Sequence, residues 1–193
     1  MSVRRNRILD AAVRVIARTG VRGLRIETLA AEAGVSPALI YYHFQDRAGV
    51  LRCALEHVDL GAERYTEEAF DADDPRTQLE QMLLLEIRDT PPVRENSVAW
   101  NELRASAVFD DDLRPSLQEA TGRWSGELAE LVTRAQDAGV ANPRTDPVAA
   151  AERLTALVEG LSSRWLSGSI TLDRARELLA GAIAVELGPA AAT

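Results

Sequence analysis

The segment from Leu29 to Phe44, LAAEAGVSPALIYYHF, constrains this chain more than any other, because it reads as two short helices joined by a glycine turn. Leu29 and Ala33 lie four residues apart and, with Ala30, form one apolar stripe on the first helix. Gly34 stops that helix, since glycine takes the left-handed conformation that a helix end often needs. Val35 fills the corner. Ser36 has a hydroxyl to cap the next helix, and Pro37 occupies its first position, where a missing N–H costs nothing. Ile40 and Phe44 then face inward with Val35, leaving Ala38, Leu39, Tyr41, Tyr42 and His43 around the outward surface.

That outward face does not suit water. A solvated helix shows Glu, Lys, Arg or Gln, whereas this one shows small, apolar and aromatic groups with hydroxyls and one imidazole. It suits a groove of duplex DNA: Ala38 and Leu39 against thymine methyls, the phenols of Tyr41 and Tyr42 and the ring of His43 on phosphate oxygens. Arg47 adds a fixed charge just beyond. Taken singly, Tyr42 fits core packing as well as a backbone contact, and His43 fits an ordinary surface. Cap, proline, glycine turn, paired tyrosines and a following arginine together describe a helix-turn-helix.

With those residues in hand, AAEAGVSPALIYYHFQDRAGVL resembles the DNA-binding segment of the TetR family of transcriptional regulators, and the similarity covers roughly the first quarter of the chain. The resemblance implies an all-α fold: an N-terminal three-helix bundle with the helix-turn-helix, and a C-terminal helical ligand-binding and dimerisation domain. Its first helix corresponds to about Arg4 to Arg18, followed by Thr19-Gly20. It further implies that Pro37, Ala38, Leu39 and Tyr41 approach bases, while Tyr42, His43 and Arg47 hold the phosphate backbone; Ser36, which caps their helix, is counted with the DNA-binding residues. One departure stands out. Where many members cap the second helix with Ser or Thr, this chain has Arg25, which either reaches a phosphate or is a solvated arginine opposing the helix dipole. Thr28 is a further phosphate candidate.

Charge divides the chain in the same place. Residues 1 to 47 hold eight arginines against four acids, a surplus of four; the other 14 arginines and 26 acids leave the remainder at −12 and the whole at −8. A basic head on an acidic body lets only the head approach phosphates. Every basic residue is arginine, as a GC-rich coding sequence would produce. The single Cys53 permits no internal disulfide and fits a reducing cytoplasm. No signal peptide and no apolar run near the roughly 18 residues of a membrane span is legible, so a cytoplasmic protein without membrane contact is expected.

The domain boundaries expected are 1–47 for the reading head, 48–188 for the helical regulatory and dimerisation domain, and 189–193 for a tail. A long helix from Arg47 to about Phe70, capped by Asp46, links head and body, and Asp71 to Pro75 ends it. Gln78 to Arg88 is apolar nearly all round, Pro91-Pro92 breaks the chain, and Val98 to Val108 and a helix opened by Asp110 to Asp112 follow. Asp146-Pro147 and Thr171 start the last two helices. Their stripes, Leu154, Leu157, Val158, Leu161 and Trp165 on one and Leu178, Leu179 and Ala182 on the other, read as a four-helix dimer interface, or as the core of a monomeric bundle. Gly160 thins the surface for a close helix. The segment from about Trp100 to Leu187 is similar to choline-responsive BetI-like members of the family, through Trp100, Asp112-Leu113-Arg114, Trp124, Ala138-Gly139 and Val158-Glu159-Gly160-Leu161.

A mostly apolar pocket is expected among the central helices, walled by Met82, Leu85, Trp100, Leu103 and Trp124, with Glu86 or Glu102 as a polar handle. The tryptophans suit a quaternary ammonium ligand or simply the core. The partners implied are thus a palindromic duplex operator, a small-molecule inducer and a second copy of the chain; no cofactor or metal is expected. Repression is what the family resemblance implies. An enzyme is the rival class, but the two histidines, His43 and His57, fall in no Glu-x-x-His or His-Glu-x-x-His pattern, which leaves Cys53 with His57, four residues on, as a conceivable nucleophile and base. A protein-interaction adaptor that keeps the helix-turn-helix shape is the other alternative.

Overall fold

The computed structural model describes residues 3–66, 72 and 74–188. Among these residues every regular element is an α-helix: α1 Val3–Gly23, α2 Ile26–Ala33, α3 Pro37–Phe44, α4 Arg47–Thr66, α5 Pro75–Leu85, α6 Pro91–Ala107, α7 Arg114–Asp137, α8 Pro147–Leu166 and α9 Leu172–Leu187. The expected extension of α4 to Phe70 and the tail at 189–193 lie outside the described residues.

The helix starts follow from side-chain chemistry. Asp74 accepts from the amides of Arg76 and Thr77 at 2.9 and 3.0 Å with Pro75 in the first turn. Asp146 and Thr171 cap α8 and α9 in the same manner. Asp46 accepts from Gly49 N at 2.7 Å at the head of α4. One start differs from expectation: α6 begins at Pro91, not Val98, with the Thr90 carbonyl accepting its first bond from Arg94 N at 2.9 Å. A first helical turn has no use for its amides, so adjacent prolines open this helix instead of breaking it.

Two compact units share these helices: residues up to Ala62 with Glu95–Ala120, and the remainder. The first reaches past the boundary expected at residue 47, because Val50, Leu51, Ala54, Leu55 and Val58 of α4 and Ala99, Leu103 and Ala107 of α6 enter the same apolar cluster as Ile8, Ile16, Leu29, Ile40 and Phe44.

In the second unit α8 packs on α9 and α9 on α5. Arginines tie it together. Arg153 makes a two-point contact with Glu186 at 2.5 and 2.6 Å, and Arg176 Nη1 donates to the Leu84 and Ile87 carbonyls at 2.7 Å, closing the C-terminal end of α5. Here the expected dimer surface needs correction: Leu154, Val158, Leu161, Trp165 and Leu179 are buried in the core of this unit, and the Arg94 guanidinium lies 5.1 Å from the centre of the Trp165 ring. Apolar periodicity reports that a face is covered, not whether its own chain or a partner covers it. Leu157, Leu178 and Ala182 are only half-buried.

Candidate nucleic-acid interface

The turn between α2 and α3 is built as its residues dictate. Gly34 has φ +64° and ψ +41°, the left-handed conformation, and the Val35 amide bonds back to the Ala30 carbonyl at 3.0 Å. Ser36 Oγ accepts from Leu39 N at 3.3 Å, and Pro37 sits in the first turn of α3. Ile40 and Phe44 are then buried, while Ser36, Pro37, Ala38, Tyr41 and Tyr42 are exposed and Leu39 and His43 half-exposed. Tyr42, for which packing and exposure were both open, is 81 % exposed and Tyr41 49 %. The Tyr42 and His43 rings meet edge to face, with centroids 5.2 Å apart.

At the end of α3 the backbone is strained. Gln45 has φ +68° and ψ −53°, and the Asp46 amide bonds to the Phe44 carbonyl at 2.8 Å across it, a γ-turn of the rare kind. Gln45 is the one non-glycine residue with positive φ among the described residues. Such strain persists only where surrounding structure over-determines it. Here the buried Phe44 on one side and the capped start of α4 on the other do so.

The arginines divide into those engaged and those free. Arg25, at the N-cap of α2, makes no side-chain capping bond and is exposed, as is Thr28, so both can face a phosphate. Arg47 is different. Its Nε donates to the Leu24 carbonyl at 2.8 Å and its Nη2 to the Val21 carbonyl, so the exposed guanidinium expected on phosphate is tied to the chain after α1. Arg14 and Arg18, one turn apart on α1, both donate to the Glu32 carboxylate on α2 at 2.9 Å. Arg5 stacks over Phe44, 5.3 Å from the ring centre. Sequence reasoning passed over this bracing, although the four-residue spacing of Arg14 and Arg18 opposite a single acid was a legible signal.

Hydrogen bonds from Arg14 and then Arg18 hold the Glu32 carboxyl below its ordinary pKa. A depressed carboxylate contributes stability above its unfolded-state pKa and loses it as pH falls through the folded one. The unfolding midpoint of wild type should therefore exceed that of Glu32→Gln at pH 7, and the gap should close as pH drops below about 4. A gap that does not narrow as pH falls through the acid range would argue against this tie.

The other candidate residues fall elsewhere. Leu103, expected in a pocket wall, is a fully buried member of the first unit's core, with Trp100 packed against it, whereas Met82, Leu85 and Trp124 belong to the second cluster. The apolar candidates are therefore divided between two cores, which residue type alone could not reveal. Glu86 is half-buried. Glu102 Oε2 accepts from the Val21 amide at 3.1 Å. Two buried donors, Trp124 Nε1 and Ser162 Oγ, have no partner among the described residues. Cys53 accepts from Arg5 Nη2 at 2.9 Å and burial pushes its thiol pKa up, the opposite of an activated nucleophile; His57 Nε2 lies 2.6 Å from Asp10 Oδ1. Each is thus engaged by α1. Among the described residues no group of three or more His, Cys, Asp or Glu is arranged to hold a metal, and no helix is long and apolar enough to cross a membrane.

Residues 8–53 match the family model described as bacterial regulatory proteins, tetR family, and residues 75–188 match that of the BetI-type transcriptional repressor, C-terminal. The chain is 26% identical over 170 residues to the HTH-type transcriptional regulator BetI of Burkholderia cenocepacia, covering 87% of this chain and 83% of that protein. Among solved structures, a TetR-family transcriptional regulator from Rhodococcus sp. superposes with a TM-score of 0.92 at 47% identity, covering 97% of this chain and all of that one (100%). A transcriptional regulator from Saccharomonospora viridis, solved in complex with choline, gives 0.81 at 29% identity over 97% of this chain and 98% of that one.

Proposed function

Because this chain belongs to the TetR family of bacterial regulatory proteins, we propose that it acts in the cytoplasm as a homodimeric repressor, binding a palindromic operator through α3 and leaving it when a small molecule binds. The observation that carries the reading is the outward face of α3. Two neighbouring tyrosines stand in solvent there, beside Ala38 and Leu39, on a helix whose other side is sealed into the core. One such helix reads only a few base pairs, so useful affinity requires two copies about 34–36 Å apart. The surface proposed for pairing is the part of α8 and α9 that the chain leaves uncovered: Leu157 and Gly160 on α8, and Leu178, Gly181, Ala182 and Val185 on α9.

For the inducer, the unpartnered donors Trp124 Nε1 and Ser162 Oγ in the second unit favour a molecule that offers a hydrogen-bond acceptor to an otherwise apolar surrounding. Choline, the ligand of the Saccharomonospora viridis protein, has a hydroxyl oxygen of that kind. Met82 and Leu85 belong to the same cluster.

The test starts from a duplex that the wild-type protein selects out of a randomised pool. Tyr41→Ala and Tyr42→Ala should each weaken binding to it about tenfold, the worth of one hydrogen bond to a charged oxygen, with helical content unchanged by circular dichroism. Leu39→Ala should change the preferred base at one position of a re-selected site. Unaltered affinity in both tyrosine variants would mean that α3 presents some other face.

A further inference from the structure

We infer that Glu102 and Arg47 are positioning residues for DNA reading, one holding the Val21 N–H and the other the Val21 carbonyl, and so joining α6 to the start of α4 through one short segment. Glu102 Oε2 accepts the Val21 N–H at 3.1 Å, across 81 positions of sequence. The Val21 carbonyl accepts from Arg47 Nη2, and the nearby Leu24 carbonyl from Arg47 Nε at 2.8 Å. These partners all belong to the first compact unit.

Gly20 makes the grip possible. Its φ of +72° and ψ of +169° interrupt α1, so the Val21 amide is released from the helical ladder and available to a partner outside it. The carboxylate also uses the space that glycine leaves empty: a Cβ at Gly20 would lie 2.8 Å from Glu102 Oε2. The gripped segment is rooted in the reading head, since the Val21 and Leu24 side chains are buried in the same cluster as Ile40 and Phe44 of α3. A shift of α6 is therefore passed to the core under α3, because close-packed side chains move together.

The grip is not sealed away. Val21, Arg47 and Glu102 line an open cleft of about 790 Å³, with Arg18, Arg22 and Phe109 on its other walls. Water can take over the Val21 amide or the carboxylate when they part, which keeps the cost of opening the contact low. The assignment also changes what Arg47 does. With Nε and Nη2 on carbonyls, it governs where the head sits instead of neutralising a phosphate.

This inference rests on the DNA-reading function, and its test has a readout that needs no DNA. In the full-length protein, Glu102→Ala should speed hydrogen exchange of the Val21 amide at least tenfold and weaken binding to the wild-type-selected duplex about tenfold. Glu102→Gln, whose amide oxygen still accepts, should restore most of both; if Glu102→Ala does not fold, wild-type-like exchange and affinity in Glu102→Gln are the supporting result. Arg47→Ala should weaken binding without altering its salt dependence, whereas losing a phosphate contact lowers the slope of log K against log salt by about 0.9. The double variant should lose less than the product of the two single effects. Unchanged Val21 exchange in Glu102→Ala, tenfold loss of affinity in Glu102→Gln, a reduced salt slope in Arg47→Ala or purely multiplicative losses would each overturn the grip. If the wild type selects no duplex, DNA reading fails, and Val21 exchange still decides whether Glu102 holds the amide.

Discussion

Replacing Val185 by arginine is expected to produce a folded monomer that binds its operator at least 100-fold more weakly. Val185 is 81 % exposed on α9, so the substitution removes no contact within its own chain. Gly181 lies one turn before it, and a Cβ there would meet nothing within 4 Å; the same holds at Gly160 on α8. An apolar side chain beside bare backbone is what a partner helix can approach, and an unpaired guanidinium buried in that approach costs several kcal/mol. Once the copies part, each head holds a single half-site and the gain from simultaneous engagement disappears, which is worth a factor of 10² or more, about 2.7 kcal/mol at the lower limit. Sedimentation velocity and fluorescence anisotropy on the selected duplex measure the two halves of this expectation. A dimer that survives in Val185→Arg would move the pairing surface off this part of α9.

Phe44→Ala should have the largest effect on stability, unfolding the reading head preferentially at a cost of about 3–5 kcal/mol. The ring is 4 % exposed, ends α3, and is the anchor on which the strained Gln45 turn depends. Truncation also removes the face over which Arg5 lies, a contact of about 0.5–1 kcal/mol at a partly exposed site. Because domains are typically stable by only 5–15 kcal/mol, such a loss brings local opening within reach of ordinary temperatures. Amide exchange resolved by segment is the appropriate measurement, since a protein with two compact units need not unfold in one step. The amides of α2 and α3 should lose protection while those of α8 and α9 keep it. A uniform change across both units would contradict the view that Phe44 stabilises the head alone.

The head was legible because its determinants are local. Gly34, Ser36 and Pro37 act within a few residues, and the alternation of Ile40 and Phe44 with Tyr41 and Tyr42 sets the inner and outer sides of one short helix. The start of α6 was misread because the same proline pair can end one helix or begin the next, and only the backbone path after Leu85 decides which. Leu154, Val158, Leu161, Trp165 and Leu179 were placed on the wrong side for a related reason. Their spacing guarantees a covered stripe, but the covering turned out to be α5, α7 and the neighbouring helix of the same chain.

What the amino-acid order determined by itself was therefore helical content, the helix caps, the glycine turn and which side of α3 faces outward, all consequences of interactions spanning one or two turns. Which core receives Trp100, Leu103 and Trp124, what Arg47 grips, and where Glu102 finds its partner were decided only in the tertiary structure. Those outcomes depend on pairs separated by tens of residues, such as Val21 and Glu102, and a long side chain with several donors can satisfy them in many ways until packing leaves one carbonyl or one amide within reach.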